Sequence, residues 1–214
     1  MTTPAASHAA SQLLAAFQHV TLAPHQSSGA GPVRALSVSG SLCRSGSLAL
    51  EYQLSVELRA LRFVPSTCRA QRCDELWRHT CFELFARRNR ASAYCEFNFT
   101  PSGDWAAYAF DDYRVTPHDA AQRRIGVTMQ TTGADRMQLC ARVDLGAAFA
   151  LDAAALELSS WQLNCAAVIE DNDGALSYWA VRHPRPQPDF HDPAGFAISL
   201  GGSAAGAATS GGQR

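Results

Sequence analysis

Residues 48–58 read LALEYQLSVEL. Leu48, Leu50, Tyr52, Leu54, Val56 and Leu58 occupy the even positions, and Ala49, Glu51, Gln53, Ser55 and Glu57 the odd ones. A period of two marks a strand with one buried face and one wet face, because successive side chains of an extended chain point to opposite sides. The pattern recurs. Phe82, Leu84 and Ala86 alternate with Cys81, Glu83 and Phe85, and Cys95, Phe97 and Phe99 with Tyr94, Glu96 and Asn98. Ile125, Val127 and Met129 hold one parity, as do Met137, Leu139, Ala141 and Val143. Pro101-Ser102-Gly103-Asp104 and Asn172-Asp173-Gly174 each separate two such runs, which predicts hairpins. Residues 23–32 read as a loop. No apolar stripe of helical period extends beyond two turns, although the Ala-rich stretch 145–155 predicts a short helix. Many short strands of this kind predict an all-β, antiparallel, immunoglobulin-like β-sandwich.

The chain has 214 residues, which suits a single domain with ragged ends. Hydrophobic residues make up 47%, enough for a full core and too many for wholesale disorder. Residues 201–214 are nearly all Gly, Ala, Ser and Thr and read as a disordered tail. Residues 1–15 read as a flexible N-terminus, leaving 16–200 as the domain. With 18 basic and 19 acidic residues there is no basic excess, so binding driven by nucleic-acid phosphates is not expected. Every basic residue is Arg, which removes Schiff-base and phosphate-loop lysine chemistry. No apolar run approaches the ~18–20 residues of a membrane span. The first 16 residues carry no Lys or Arg, so a secretory signal is not expected. Seven cysteines, an odd number without a C-x-x-C pair, point to reduced thiols in a cytoplasmic protein.

More than half of the aromatic residues fall between Trp77 and Tyr113. Phe82, Phe97 and Phe99 read as core, whereas Glu83, Tyr94, Glu96 and Asn98 share the opposite faces of two neighbouring strands. Carboxylates, an amide and rings on one sheet face can hydrogen-bond a polyol while a ring supports its apolar side. Glu83 and Glu96 also admit a plainer account: a solvated sheet face, or ion pairs with Arg78, Arg87 or Arg114. A third account is catalytic. Opposed strand residues have Cβ atoms ~4.5–5.5 Å apart, and retaining glycosidases hold their carboxyl groups ~5–5.5 Å apart.

Trp77-Arg78-His79-Thr80 precedes a strand and can place a stacking ring and a forked donor at the rim of a site. Towards the C-terminus stand Ser177-Tyr178-Trp179, then His183, and then Asp189-Phe190-His191-Asp192 on a loop stiffened by Pro184, Pro186 and Pro188. Two sets of residues could ligate a metal: Cys68, Cys73, His79 and Cys81, and His183, Asp189, His191 and Asp192. Neither has the paired spacing of a known metal signature, so no metal is expected. Asp171-Asn172-Asp173-Gly174 starts like a calcium loop but has Arg182 at the twelfth position. Phosphate-loop, nucleophile-elbow and His-Glu-x-x-His motifs are missing from the sequence.

Three stretches together resemble a known family: residues 76–85 (LWRHTCFELF), residues 94–108 (YCEFNFTPSGDWAAY), and the set 167–170 (AVIE), 176–180 (LSYWA), His183-Pro184 and Asp189-Phe190-His191. They resemble the bacterial DOMON-like proteins related to family 9 carbohydrate-binding modules, across about residues 17–200. The resemblance implies an immunoglobulin-like β-sandwich that binds a sugar between two rings or, in other DOMON branches, haem. Trp77 matches the first ring, Trp179 or Phe190 the second, and Glu83 the strand glutamate. The chain departs from those modules after the Trp, where it has His79 and Thr80 instead of acidic residues. Haem would need Met and His ligands, and Met129 and Met137 both read as core. The expectation is a non-catalytic module for a carbohydrate-like small molecule. Trp77 stacks; Arg78, His79, Glu83, Glu96 and Asn98 supply polar contacts; Trp179, His183, Phe190 and His191 close the site. A haem module and a glycoside-acting enzyme using Glu83 and Glu96 stand as alternatives.

Overall fold

The computed structural model describes residues 12–63, 70–115, 117–120 and 125–201. Residues 1–11 and 202–214, where most of the two loose ends were expected, lie outside the described residues, as does Cys68. β1 (Leu13–Pro24) already begins at Leu13, inside the stretch expected to be loose.

All paired strands are antiparallel. One layer runs β1, β2 (Val33–Cys43), β3 (Ser47–Val56), β9 (Arg136–Asp144), β8 (Gly126–Thr132). The other runs β7 (His118–Asp119), β6 (Trp105–Phe110), β5 (Tyr94–Phe99), β4 (Cys81–Arg88), β10 (Trp161–Glu170), β11 (Leu176–Ala180). The short β12 (Ile198–Leu200) also pairs with β10. The end of β1 leaves β2 and pairs with β11 through Ala23 and Pro24, so the two layers form one curled sheet. This is the expected antiparallel β-sandwich.

The period of two decides which residues fill it. Leu48, Leu50, Tyr52, Leu54 and Val56 of β3 are buried with Leu84 and Phe97 of the facing layer. Tyr52 fastens the layers: its ring lies 5.2 Å from that of Phe82, and its hydroxyl donates to the backbone carbonyl of Glu83 at 2.8 Å. Gly40 allows a close crossing on β2, since a Cβ there would meet Phe17 Cε1 at 2.4 Å. Both turns expected to make hairpins do so, and Gly174 takes the left-handed conformation (φ 82°) that its turn requires. The single helix expected over 145–155 is two: α1 (Leu145–Ala148), capped by Asp144, and α2 (Ala153–Glu157), capped by Asp152. A positive φ of 50° at Ala150 separates them, and each Asp accepts a hydrogen bond from the first turn.

Two expectations from alternation fail. Met129 is exposed, because β8 is an edge strand with little packed against it. More consequentially, the outer faces of β4 and β5 are not wet. Every residue of β5, and every residue of β4 up to Ala86, is buried. A second apolar cluster, with Phe85, Tyr94, Tyr108, Phe110, Phe190 and Phe196, covers that face. The proline-rich loop 182–197 and the segment after β6 lie over the sheet there, and between them and the strands a hollow remains.

Candidate functional site

Strand register builds the floor of this hollow. Glu83 stands opposite Asn98, Phe85 opposite Glu96, and Glu96 opposite Tyr108. Glu83, Glu96 and Tyr108 therefore share one face, with Val168 and Tyr178 beside them from β10 and β11. Trp77, Phe110, Pro117, Pro188 and Phe190 wall the cavity, and Arg114 and His191 supply further polar groups. Its volume is about 400 Å³, within the ~300–1,000 Å³ range of small-molecule sites. Trp77 is 40% exposed and meets Tyr108 edge-on at 6.0 Å, which places an accessible indole at the rim.

The two glutamates are almost sealed from water, at 3% for Glu83 and 4% for Glu96. Glu96 Oε1 accepts from the Asn98 side-chain amide at 2.7 Å, and its Oε2 lies 3.7 Å from His191 Nε2. Glu83 Oε1 has no hydrogen-bond partner. Burial pushes the Glu83 carboxyl well above its ordinary range, and the charge of Glu96 adds to the push, while Arg114 opposes it. Burial also raises Glu96 to about 7, against the opposing pull of Asn98 and Arg114. A solvated sheet face would leave both side chains exposed, so their burial overturns that account of the pair. The direct ion pairs offered as the other plain account are not formed. Arg78 pairs with Glu75 at 2.7 Å, Arg87 donates to Gln162 at 2.9 Å, and Arg114 pairs with Asp189 at 2.8 Å.

Asp189 organises the loop side of the cavity. It accepts from the Tyr113 hydroxyl at 2.5 Å, from Arg114, and from the backbone N–H of His191 at 3.1 Å. Burial works against its charge, but the bonds from Tyr113 and Arg114 outweigh it and lower the carboxyl pKa. The Tyr94 hydroxyl accepts from the backbone N–H of Arg114 at 3.3 Å and lies 2.7 Å from His191 Nδ1. Burial first, and Arg114 second, lower the His191 imidazole to about 4, so it is neutral at pH 7.

The structure brings Trp77, Glu83, Glu96, Phe190 and His191 together around the cavity. Asn98 lies beneath it, wholly buried, as a donor to Glu96. Four other expected residues stand elsewhere. Trp179 points into the sandwich core, where its indole N–H donates to Ser177 Oγ at 3.1 Å; Tyr178, of the opposite parity, reaches the cavity instead. Arg78 and His79 line a separate groove, and His79 Nδ1 lies 2.7 Å from Glu170 Oε2. His183 Nε2 bonds to the Ala23 carbonyl at 2.8 Å, and its ring packs edge-on against His25 at 4.8 Å. Glu83 and Glu96 are diagonal rather than opposed neighbours, which removes the directly opposed geometry expected for a retaining pair.

Tyr108 and Phe110 were legible in principle, because counting back across the turn at 101–104 pairs Glu96 with Tyr108 and Tyr94 with Phe110. Arg114 sits on an irregular segment with a φ of 53° and carries no periodic signal.

Among the described residues, neither Met137, buried in the sandwich core, nor Met129, exposed on edge strand β8, lines the cavity beside His191, so a Met–His haem pair is not assembled there. Among the described residues no group of three His, Cys, Asp or Glu is placed to hold a metal, and no helix is long and apolar enough to cross a membrane.

No protein-family model matches the chain, and no curated protein matches it in sequence. Solved structures do. A structure described as a "putative carbohydrate-binding protein" from Bacteroides uniformis ATCC 8492 superposes with a TM-score of 0.56 at 16% identity, covering 76% of this chain and 77% of that one. A family 9 carbohydrate-binding module from Caldicellulosiruptor kristjanssonii, in complex with cellotriose, gives a TM-score of 0.39 at 11% identity, covering 80% of this chain and 72% of that one. The first likeness is one of fold: the chain shares its β-sandwich architecture with that protein.

Proposed function

We propose that the chain is a non-catalytic binding module for a small carbohydrate or similar polyol, held in the cavity over β4 and β5. The observation that carries the reading is the buried Glu83 Oε1, which has no hydrogen-bond partner, on the floor of an aromatic-walled hollow. A buried polar atom without a partner is costly, and a ligand hydroxyl would satisfy it. Trp77 would stack on an apolar sugar face, while Tyr108 and Tyr178 present further rings to the space. The carbohydrate-binding description of the first structural relative supports the same reading. A DOMON-like kinship and a reducing, cytoplasmic location belong to this proposal; the six described cysteines, all free thiols, support the latter. Isothermal titration against mono- and disaccharides tests it. A saccharide should bind, and Trp77→Ala should weaken it by roughly tenfold through the lost stacking area. A panel without a binder, or a variant with unchanged affinity, refutes the site.

One observation favours a second reading. Two desolvated carboxyls, one of them with a pKa of about 7, are what a general acid and its partner need. Hydrolysis of chromogenic glycosides that is abolished by Glu83→Gln would establish it, and inert substrates would remove it.

A further inference from the structure

Two carboxyl groups share the cavity floor, and among the described residues no arginine is paired with either. The Arg114 guanidinium is held by Asp189 at 2.8 Å. His191 is a neutral ring whose Nδ1 is bonded to Tyr94. Asn98 gives Glu96 one neutral donor, and Glu83 Oε1 receives none. A neutral hydroxyl could donate to Glu83 Oε1 while burial keeps the pair protonated, but only a cationic donor satisfies the same oxygen and lets both carboxyls ionise without an unpaired buried charge. The surrounding surface is suited to a cation as well. Trp77, Tyr108, Phe110, Tyr178 and Phe190 present rings to the same space, and aromatic faces attract an ammonium group.

We propose that the sugar taken by this cavity carries a free, protonated amine: the ligand class is an amino sugar, its ammonium set between Glu83 and Glu96 and its ring against Trp77. This rests on the carbohydrate reading above and narrows it. An ammonium brings three donors and a full charge. It satisfies Glu83 Oε1 and draws both carboxyls into their ionised form. Binding at neutral pH then expels the protons that burial keeps on the pair, so affinity rises with pH between 5 and 7.5. The other titratable groups facing the pair leave this sign unchanged. Burial raises Cys81, Tyr94 and Tyr108, which stay neutral; His191 is neutral throughout that range; Arg114 and Asp189 stay charged and paired. If the carboxyls instead remained protonated and served as donors to a neutral polyol, affinity would be flat or fall over the same interval.

The test is calorimetric titration of the unsubstituted protein with matched pairs: glucosamine and glucose, galactosamine and galactose, mannosamine and mannose, each with its N-acetylated amine. At pH 7.5 one amino sugar should bind at least ~10-fold tighter than both its neutral parent and its N-acetyl form, as expected for a charge-assisted contact in a desolvated site. The advantage should shrink at pH 5 and vanish in Glu83→Gln. Should that variant not fold, the comparison with the N-acetyl form decides the matter without it. Amine and parent binding within ~2-fold of each other, or a preference that survives Glu83→Gln, overturns the amino-sugar assignment while leaving carbohydrate binding in place. Failure of every sugar to bind overturns both.

Discussion

Glu96→Gln should make the folded protein more stable at alkaline pH and leave it unchanged in mild acid. In the folded chain the Glu96 carboxyl keeps its proton up to about pH 7, whereas the usual value is 4.5. Between those values the native state binds more protons than the unfolded state, so stability falls as pH rises through the window. A shift of this size at ~1.4 kcal/mol per pKa unit corresponds to about 3 kcal/mol, fully lost above pH 7. The amide oxygen of the variant can still accept from Asn98, and the other carboxylate oxygen, 3.7 Å from His191, is beyond hydrogen-bond reach. Little else changes on substitution. Removing the charge of Glu96 also relieves Glu83, whose raised value owes its second contribution to that charge. Denaturant unfolding and thermal melts between pH 4.5 and 8.5 should show wild type losing stability through the window and the variant losing less. At pH 8 the variant should melt ~6–12 °C higher, from ~2–4 °C per kcal/mol for a domain of this size. A constant difference between the two proteins across the range, or a wild-type profile that rises from pH 5 to 7, would show that these carboxyls are not desolvated as described.

Trp179→Ala should cost ~3–5 kcal/mol of stability by opening a cavity in the sandwich core, whereas Tyr178→Ala should chiefly reduce ligand affinity; chemical denaturation and titration calorimetry of the pair separate the two faces of β11. Gly40→Ala should destabilise by ~1–3 kcal/mol through the clash with Phe17, and Phe17→Ala in the same chain should recover part of that loss, giving a non-additive double-mutant cycle. Asp189→Asn weakens the hold on Arg114 and Tyr113 and should lower stability by ~1–2 kcal/mol at pH 7. The wild-type carboxyl has a depressed folded value, so this difference is present above the usual 3.8 and should close as pH falls through the folded value, which acid melts can follow.

The fold was readable because a strand's period of two is local. Alternation in residues 48–56, 82–86, 95–99 and 137–143 assigned the inward residues of four strands, and turn residues assigned two hairpins, whereas Leu58, which continues the first pattern, opens a short 3-10 turn instead. The same parity placed Glu83, Glu96 and Asn98 on one side. It erred wherever burial depends on a distant segment. Met129 has core parity but no layer against it, and the outer faces of β4 and β5 have surface parity but lie under residues 182–197. Trp179 illustrates the one-residue sensitivity of such reasoning: on the aromatic pair of β11, only the neighbour of opposite parity reaches the cavity.

Alternation and turn chemistry, then, are sufficient to determine from the chain alone that this protein is an antiparallel β-sandwich with acidic and aromatic residues gathered on one sheet, since both act over a few residues. Tertiary structure alone decided that this acidic face is the buried floor of an aromatic-walled cavity rather than an open sheet surface. It also decided that Arg114 joins the expected residues there and that Arg78, His79, Trp179 and His183 do not. Desolvation is set by what the loops bring over the sheet from far along the chain, and no local pattern encodes that closure.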